Sequence, residues 1–285
     1  MWLTYSLLAA VVFGLRGILY HWTSQQRINR NLLLCGAFFI GAVIGLAATI
    51  LTGQPWHANA LIGIQMGLFS FGANASMFKG FAVGKVSIVA ILTALPAVFV
   101  VAAAFVLWGE QPTLLQGLAF LVILGGVLLV RYSNDITWSN MQGAGWAMLA
   151  TVLFACNDLS GKYSTIINGP LFPTLFFMFL TGAVCFGGWY VYDRRHHSEV
   201  VHNWSVRRTF LTGMGVGTTN VLGMVLLLNA FELGTTGLVS AVAASSVIVV
   251  LLYTRFAIKE PFTVPETAGI ITAFVGILMM RLFGH

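Results

Sequence analysis

Apolar residues run along this chain in ten blocks of about twenty, each closed by a short polar or turn-forming break. The blocks fall approximately at 3–22, 32–52, 59–81, 86–107, 113–131, 143–165, 171–192, 208–231, 237–257 and 264–283. At about 1.5 Å of rise per residue, a block of that length crosses a hydrocarbon core ~30 Å thick, so each reads as a membrane-spanning helix. The breaks carry turn chemistry: Thr52-Gly53-Gln54-Pro55, Gly109-Glu110-Gln111-Pro112, Asn168-Gly169-Pro170, Gly234-Thr235-Thr236-Gly237 and Lys259-Glu260-Pro261. Only the stretch from Asp193 to Arg208 is long and polar enough to read as an extended loop. The first block begins without a basic region and runs to about Trp22, too long for a signal core, so it is read as a retained span.

Composition supports the pattern. Of 285 residues, 58% are hydrophobic and 8% charged, against about 25% charged in an ordinary soluble domain. Mean hydropathy is +0.90. The net charge of +6 does not point to nucleic acid, because the basic residues sit in the gaps between apolar blocks. Cys35, Cys156 and Cys185 each lie inside a block with no paired or metal-ligand spacing, so neither a metal nor a cofactor is expected.

The basic residues set the orientation, since Lys and Arg in short loops stay on the cytoplasmic side. The odd-numbered loops hold Arg27 and Arg30, Lys85, Arg131, Arg194, Arg195, Arg207 and Arg208, then Arg255 and Lys259. The even-numbered loops hold essentially none. Both termini are therefore expected outside a cytoplasmic membrane.

An internal repeat divides the chain. At a shift of 150, Phe81, Gly84, Val89, Ala94, Val100, Glu110, Thr113, Gly126, Leu128 and Arg131 recur as Phe231, Gly234, Val239, Ala244, Val250, Glu260, Thr263, Gly276, Leu278 and Arg281. Earlier in each half, Leu8, Ala9, Val11 and Phe13 recur as Leu149, Ala150, Val152 and Phe154 at a shift of 141. The expected units are 1–135, holding spans 1 to 5, and 136–285, holding spans 6 to 10. Because five is odd, the second copy enters the bilayer from the opposite side. The expected fold is an all-α polytopic membrane protein of ten helices arranged as two inverted five-helix repeats, the architecture by which secondary transporters place a substrate site near mid-membrane.

The paired helix ends carry a resemblance. Leu107-Trp108-Gly109-Glu110-Gln111-Pro112 leads to Gly125-Gly126-Val127-Leu128, and Ile258-Lys259-Glu260-Pro261 leads to Val275-Gly276-Ile277-Leu278. In these the chain resembles the drug/metabolite transporter superfamily in its ten-helix EamA-type form. The resemblance implies a basket in which spans 1, 3, 4, 6, 8 and 9 surround a cavity while 5 and 10 form a scaffold. It also marks a departure: span 1 lacks the central glutamate that couples protons in the small four-helix multidrug relatives, and has Arg16 in that region.

Polar groups inside apolar spans are expensive and face cavities or partners. Arg16 offers five donors to a carboxylate or phosphate, or else snorkels to the headgroups beside Tyr20, His21 and Trp22. Span 6 holds Asn157, Asp158 and Lys162, and the last two have the i,i+4 spacing of an ion pair. Asn157 aligns with Arg16 at the 141 shift, which suggests polar groups at equivalent depth in the two halves. Asn74 and Asn220 can bond a substrate or another helix without burying a charge. Lys79 reads as an interfacial anchor or a ligand contact, and Glu232 as an outer-loop residue. Spans 4 and 9 set Thr93 and Pro96 against Ser240, Ser245 and Ser246; Pro96 is expected to kink its helix and free a carbonyl toward the cavity. Glu110 and Glu260 each precede Pro and Thr, where a carboxylate favours the positive end of the next helix. Span-end Trp2, Trp22, Trp56, Trp108, Trp138 and Trp189 read as interfacial belts.

Arg16, Lys79 and Lys162 outnumber Asp158, so the chamber favours an anionic or zwitterionic solute. The candidate binding residues are Arg16, Tyr20, Asn74, Lys79, Thr93, Asn157, Asp158, Lys162, Asn220 and Ser245. An amino acid or organic anion, exported by alternating access with protons as a coupling ion, fits first. Lipophilic or quaternary cations bound on aromatic faces, or a flipped lipid, are the alternatives on the same fold. No HExxH, GxSxG or paired membrane aspartates offer enzyme chemistry. Partners beyond the solute are the lipid bilayer and a possible second copy, the chain acting as monomer or dimer. A cysteine placed at Thr52 is expected to react with an impermeant thiol reagent in intact cells; reaction only after permeabilisation would reverse the orientation.

Overall fold

The computed structural model describes residues 1–26, 28–83, 89, 91–131, 143–196, 204–259 and 263–283. Arg27, Gly84, Lys85, Trp138, Glu260 and Pro261 lie outside them. The described residues form helices and no strand. In chain order these are α1 (Trp2–Ser24), α2 (Arg30–Thr52), α3 (Ile62–Val83, after a short 3₁₀ turn), α4 (Pro96–Trp108), α5 (Leu114–Arg131) and α6 (Ala144–Ile166). They continue with α7 (Leu171–His196), α8 (Val206–Leu233), α9 (Thr236–Ala244), α10 (Ser246–Tyr253) and α11 (Val264–Phe283). Eight helical stretches among the described residues are long and apolar enough to cross a membrane, with α9 and α10 joined as one span. The other two crossings are α4, the short described part of span 4, and α6, whose Asp158 and Lys162 dilute its hydropathy. The chain is a polytopic bundle of ten transmembrane helices.

Two boundaries differ from expectation, at α7 and in span 9, and the kink expected at Pro96 is a break in its helix. α7 runs on through Asp193, Arg194, Arg195 and His196, so the polar stretch is partly helix: Asp193 accepts from Trp189 Nε1 at 3.1 Å and from Asn31 Nδ2 of α2 at 2.7 Å. Span 4 breaks between Thr93 and Leu95, ahead of Pro96. Span 9 also breaks, at Ser245, where no proline warned of it. The two breaks are the same structure 150 residues apart. Leu95 N bonds Leu92 O at 3.1 Å and Val98 N bonds Leu95 O at 3.1 Å, while Ser245 N bonds Val242 O at 3.1 Å and Ile248 N bonds Ser245 O at 2.9 Å.

The packing follows the same exchange of halves. α2 with α8 is mirrored by α7 with α3, and α3 with α6 by α8 with α1. α1 packs on α9 and α10 as α6 packs on α4, while α2 with α7, α4 with α9 and α5 with α11 map onto themselves. Glycines fix the register. A Cβ at Gly63 would collide with Thr174 O and one at Gly67 with Met178 O; Gly213 and Gly217 face Leu33 O and Ala37 O in the same way. These four pairs are related by 150 on the glycine side and 141 on the carbonyl side, the two shifts read from sequence. On the pseudo-twofold axis Phe179 covers Gly41 and Phe38 covers Gly182, and the two rings meet edge to face at 5.6 Å. With five crossings per half, this twofold makes the repeats inverted.

Spans 5 and 10 pair through Gly126, which lies on Ala273 N and Gly269 O, and Gly276, which lies on Ile123 N and Ala119 O. Small residues let backbones approach where lipid supplies no hydrophobic drive. A valine at Gly126 must push two backbones apart, whereas the neighbouring Gly125 has open space around it. Gly126→Val is expected to destabilise the bundle by about 2 kcal/mol or more and Gly125→Val by less than about 0.5 kcal/mol, read as thermal unfolding in detergent.

Candidate functional site

Two faces are distinguishable. The terminal face carries Trp2, the α4–α5 link, the end of α6 and the α8–α9 turn; Trp2 packs on Gly234 there. The basic face carries Arg30, Arg194, Arg195, Arg207, Arg208 and Arg255. Between them the embedded polar side chains sit on α1, α3, α6, α8 and α9.

Arg16 does not reach for headgroups. Its Nη1 donates to Asn220 Oδ1 of α8 at 2.6 Å, and its guanidinium lies 4.5 Å from the centre of the Phe13 ring. Phe13 in turn rests on Gly223 of α8, where any Cβ would strike the ring. Asn220 is 4% exposed. A glycine therefore seats an aromatic platform one turn before the arginine, and an amide one turn before the glycine takes the donor. Among the described residues no carboxylate forms an ion pair with Arg16.

The equivalent place in the second half is Asn157, buried, with Oδ1 lacking a hydrogen-bond partner among the described residues. Its neighbour Asp158 accepts from Ser240 Oγ of α9 at 2.8 Å. Equivalence does not mean equal depth, because inversion sends a position on one side of the midplane to the other side. Arg16 lies three residues past the centre of Trp2–Ser24 toward the basic face, and Asn157 two residues past the centre of Ala144–Ile166 toward the terminal face. At about 1.5 Å per residue they differ in depth by roughly 7 Å. Side chains lean toward the N-terminus of their own helix. α1 starts at the terminal face and α6 at the basic face, so Arg16 and Asn157 both lean back to the midplane.

Lys162 is not paired with Asp158. Its Nζ donates to Phe231 O at 2.6 Å and Gly234 O at 3.1 Å, the carbonyl end of α8, and lies 3.7 Å from Glu110 Oε1. The ammonium goes to unsatisfied helix-end carbonyls, which carry partial negative charge. Glu110 likewise serves a helix other than the next one: its two oxygens accept from Thr236 N and Oγ1, each at 2.7 Å, at the start of α9. Glu232 is in the last turn of α8 rather than a loop, exposed at the same face.

The remaining candidates spread out. Tyr20 is half-buried on α1, one turn beyond Arg16 toward the basic face. Asn74 Nδ2 bonds Ser70 O of its own helix at 2.7 Å, and Lys79 is exposed near the basic end of α3. Thr93 Oγ1 bonds Val89 O at 2.8 Å and Ser245 Oγ bonds Val242 O at 2.6 Å, each beside its span's break. Ser240, Gln65 and Ser160 are polar contributors outside the expected set, the last two joined at 3.2 Å between α3 and α6. The carbonyl that Pro96 frees is Leu92 O, and it does not face an open chamber: Thr151 Oγ1 of α6 donates to it at 2.7 Å.

Comparison with known proteins agrees with this geometry. The model of the EamA-like transporter family matches twice, over residues 1–132 and 141–282. The chain belongs to the EamA-like transporter family. It is a membrane transporter of the drug/metabolite type, and the family's members are transporters rather than enzymes. A crystal structure of another protein is similar to this EamA-type chain with a TM-score of 0.79 at 16% identity, covering 100% of this chain and 99% of that one. At that identity the likeness concerns the fold alone. Among curated proteins none matches the sequence.

The broken span 4 of this EamA-type chain gives a direct test of local satisfaction. Thr151→Val keeps shape but removes the side-chain donor to Leu92 O, leaving that carbonyl only the Leu95 amide, and is expected to cost about 0.5 to 1.5 kcal/mol in thermal unfolding. Thr151→Ser, which retains the hydroxyl, is expected to lose clearly less.

Proposed function

We propose that this EamA-type protein is a secondary active transporter that moves a small carboxylate-bearing metabolite, an amino acid or organic anion, out of the cytoplasm by alternating access. One observation carries the reading: Arg16, near mid-membrane, is held by a neutral amide and an aromatic face, with Asn220 and Phe13 as its partners. A buried fixed cation without a protein counter-charge favours an anion entering from the chamber. An arginine fork can clamp a carboxylate with two parallel bonds, and Asn220 fixes the orientation of that fork.

Across the midplane, Asp158 and the open Oδ1 of Asn157 offer acceptors. A solute carrying both a carboxylate and an ammonium satisfies both ends, so zwitterionic amino acids fit better than simple anions. Asp158, on α6 against Ser240 of α9, is also the group through which protons would couple, by exchanging with substrate on a span that flexes at Ser245. Tyr20, Asn74, Lys79 and Thr93 are outer members of the set, supporting the path rather than clamping the solute. Orientation by the basic residues puts the basic face in the cytoplasm of the cell membrane and both termini outside, with units 1–135 and 136–285 working as a single-chain pair.

A thermal-stability screen of the purified protein against amino acids, organic acids, phosphates and quaternary amines tests the class, since a ligand at 100 times its Kd adds about 2.7 kcal/mol of stability. Stabilisation by carboxylates is expected, and Arg16→Gln is expected to abolish it while remaining folded. Stabilisation by quaternary amines alone, unaffected by Arg16→Gln, would favour the cation reading. Asp158→Asn is expected to retain ligand stabilisation by organic anions but lose uptake driven by a proton gradient in vesicles.

A further inference from the structure

The charged cluster at the terminal face answers to a different task from binding. Lys162 donates to two carbonyls, Phe231 O and Gly234 O, and forms an ion pair with Glu110 at 3.7 Å, while Glu110 accepts twice from Thr236. The two side chains retain only 15% and 16% exposure. The ammonium and the carboxylate each have two hydrogen bonds within the protein and a counter-charge in each other, so the pair has little left to offer a solute. What it does is join elements: the end of α6, the end of α8, the link after α4 and the start of α9. Immediately beneath it α9 meets α4, where Gly237 is pressed onto Val101. Above it lies a cavity of about 460 Å³ reached by Trp2, Gln116, Glu232 and Leu238 together with the pair itself.

We propose that the Lys162–Glu110 pair is the latch of the terminal-face gate, holding the near-membrane ends of spans 4, 6, 8 and 9 together in the state seen here and parting when that face opens. Three physical features fit a latch. Both charges are seated on helix termini of the matching sign, Lys162 on the carbonyl end of α8 and Glu110 on the amide end of α9, so the joint registers the ends of two spans against each other. The pair lies partly exposed beside a cavity, where water can take over its bonds as they separate, and so it can open and close reversibly. The hinge exists as well: α9 is divided from α10 at Ser245, letting the terminal-side half of span 9 move with Glu110 while α10 stays packed on α1, where Val249 and Val250 rest against Gly14 and Gly17. The cavity above is the vestibule into which a released solute would pass.

The test uses the full chain in phosphatidylcholine nanodiscs, with its three cysteines replaced by serine and a reporter Ser240→Cys placed one turn below the latch on α9, where the serine is 5% exposed and faces Asp158. A charged maleimide reads access to it. Lys162→Met and Glu110→Gln are each expected to raise the labelling rate by about five-fold or more, while Arg194→Met, exposed at the other face, leaves it unchanged. Rates within about two-fold of the parent in both latch variants would overturn the proposal. Hydrogen exchange on the same proteins, and on Thr236→Val, which removes one Glu110 bond without touching a charge, covers the case in which a charge variant does not fold. Amides at 236–242 are expected to exchange faster with those at 146–152 unchanged; equal acceleration at both faces, or none, would overturn it. Substrate enters neither readout, so the latch can fail with the Arg16 reading intact, and the reverse.

Discussion

Inside hydrocarbon a helix that breaks or ends must find partners for its freed amides and carbonyls from other parts of the protein, because no water is there to supply them. Much of the polar chemistry in this bundle answers that requirement. Thr151 joins the Leu95 amide on the carbonyl of Leu92, which Pro96 cannot serve. Ser245 folds its own hydroxyl back onto Val242 O at the second break. Lys162 serves the last carbonyls of α8, and Glu110 the first amide of α9. Once these are assigned, Arg16, Asn157 and Asp158 are charged or amide groups with capacity to spare on facing spans, which is why they and not Lys162 define the centre of the proposed site.

The second constraint is symmetry. The halves are superposable in their glycine contacts and helix breaks but not in their polar residues: Arg16 and Asn220 in one pairing answer to Asn157 and Ser70 in the other. Near-identical backbones allow two states of similar energy, each half adopting the other's shape in turn. Unlike side chains at matched positions would make the proposed site polar in direction, with the cation displaced toward the basic face and the carboxylate toward the terminal face. A transporter needs the first property to move and the second to select.

The repeat was legible in sequence because close helix packing permits only small residues at crossing points, so Gly126, Gly276 and their neighbours keep their spacing when surrounding apolar residues drift. The shifts of 141 and 150 therefore carried over directly into three-dimensional contacts. Less legible were partners that depend on where helix ends fall. The i,i+4 spacing of Asp158 and Lys162 offered an ion pair, yet the carbonyls of Phe231 and Gly234 and the carboxylate of Glu110 lie closer in space while more than fifty positions away in the chain. The break at Ser245 had no proline to announce it. Depth was misread for a geometrical reason: matched positions in inverted copies lie on opposite sides of the midplane unless they sit on it.

The choice of an amide rather than an acid beside Arg16 bears on how such a carrier avoids slipping. Had Asn220 been aspartate, the guanidinium would be neutralised internally, and an incoming carboxylate would have to displace a partner worth several kcal/mol in a low-dielectric setting. With asparagine, the proposed site, when empty, would instead retain an uncompensated positive charge. Passing through a closed, desolvated intermediate in that condition is costly, whereas a bound carboxylate removes most of the cost. The loaded protein can then reorient more readily than the empty one. On the proposed reading, the residue that clamps the solute would thereby make reorientation depend on its presence, which is the condition for coupled transport rather than leak.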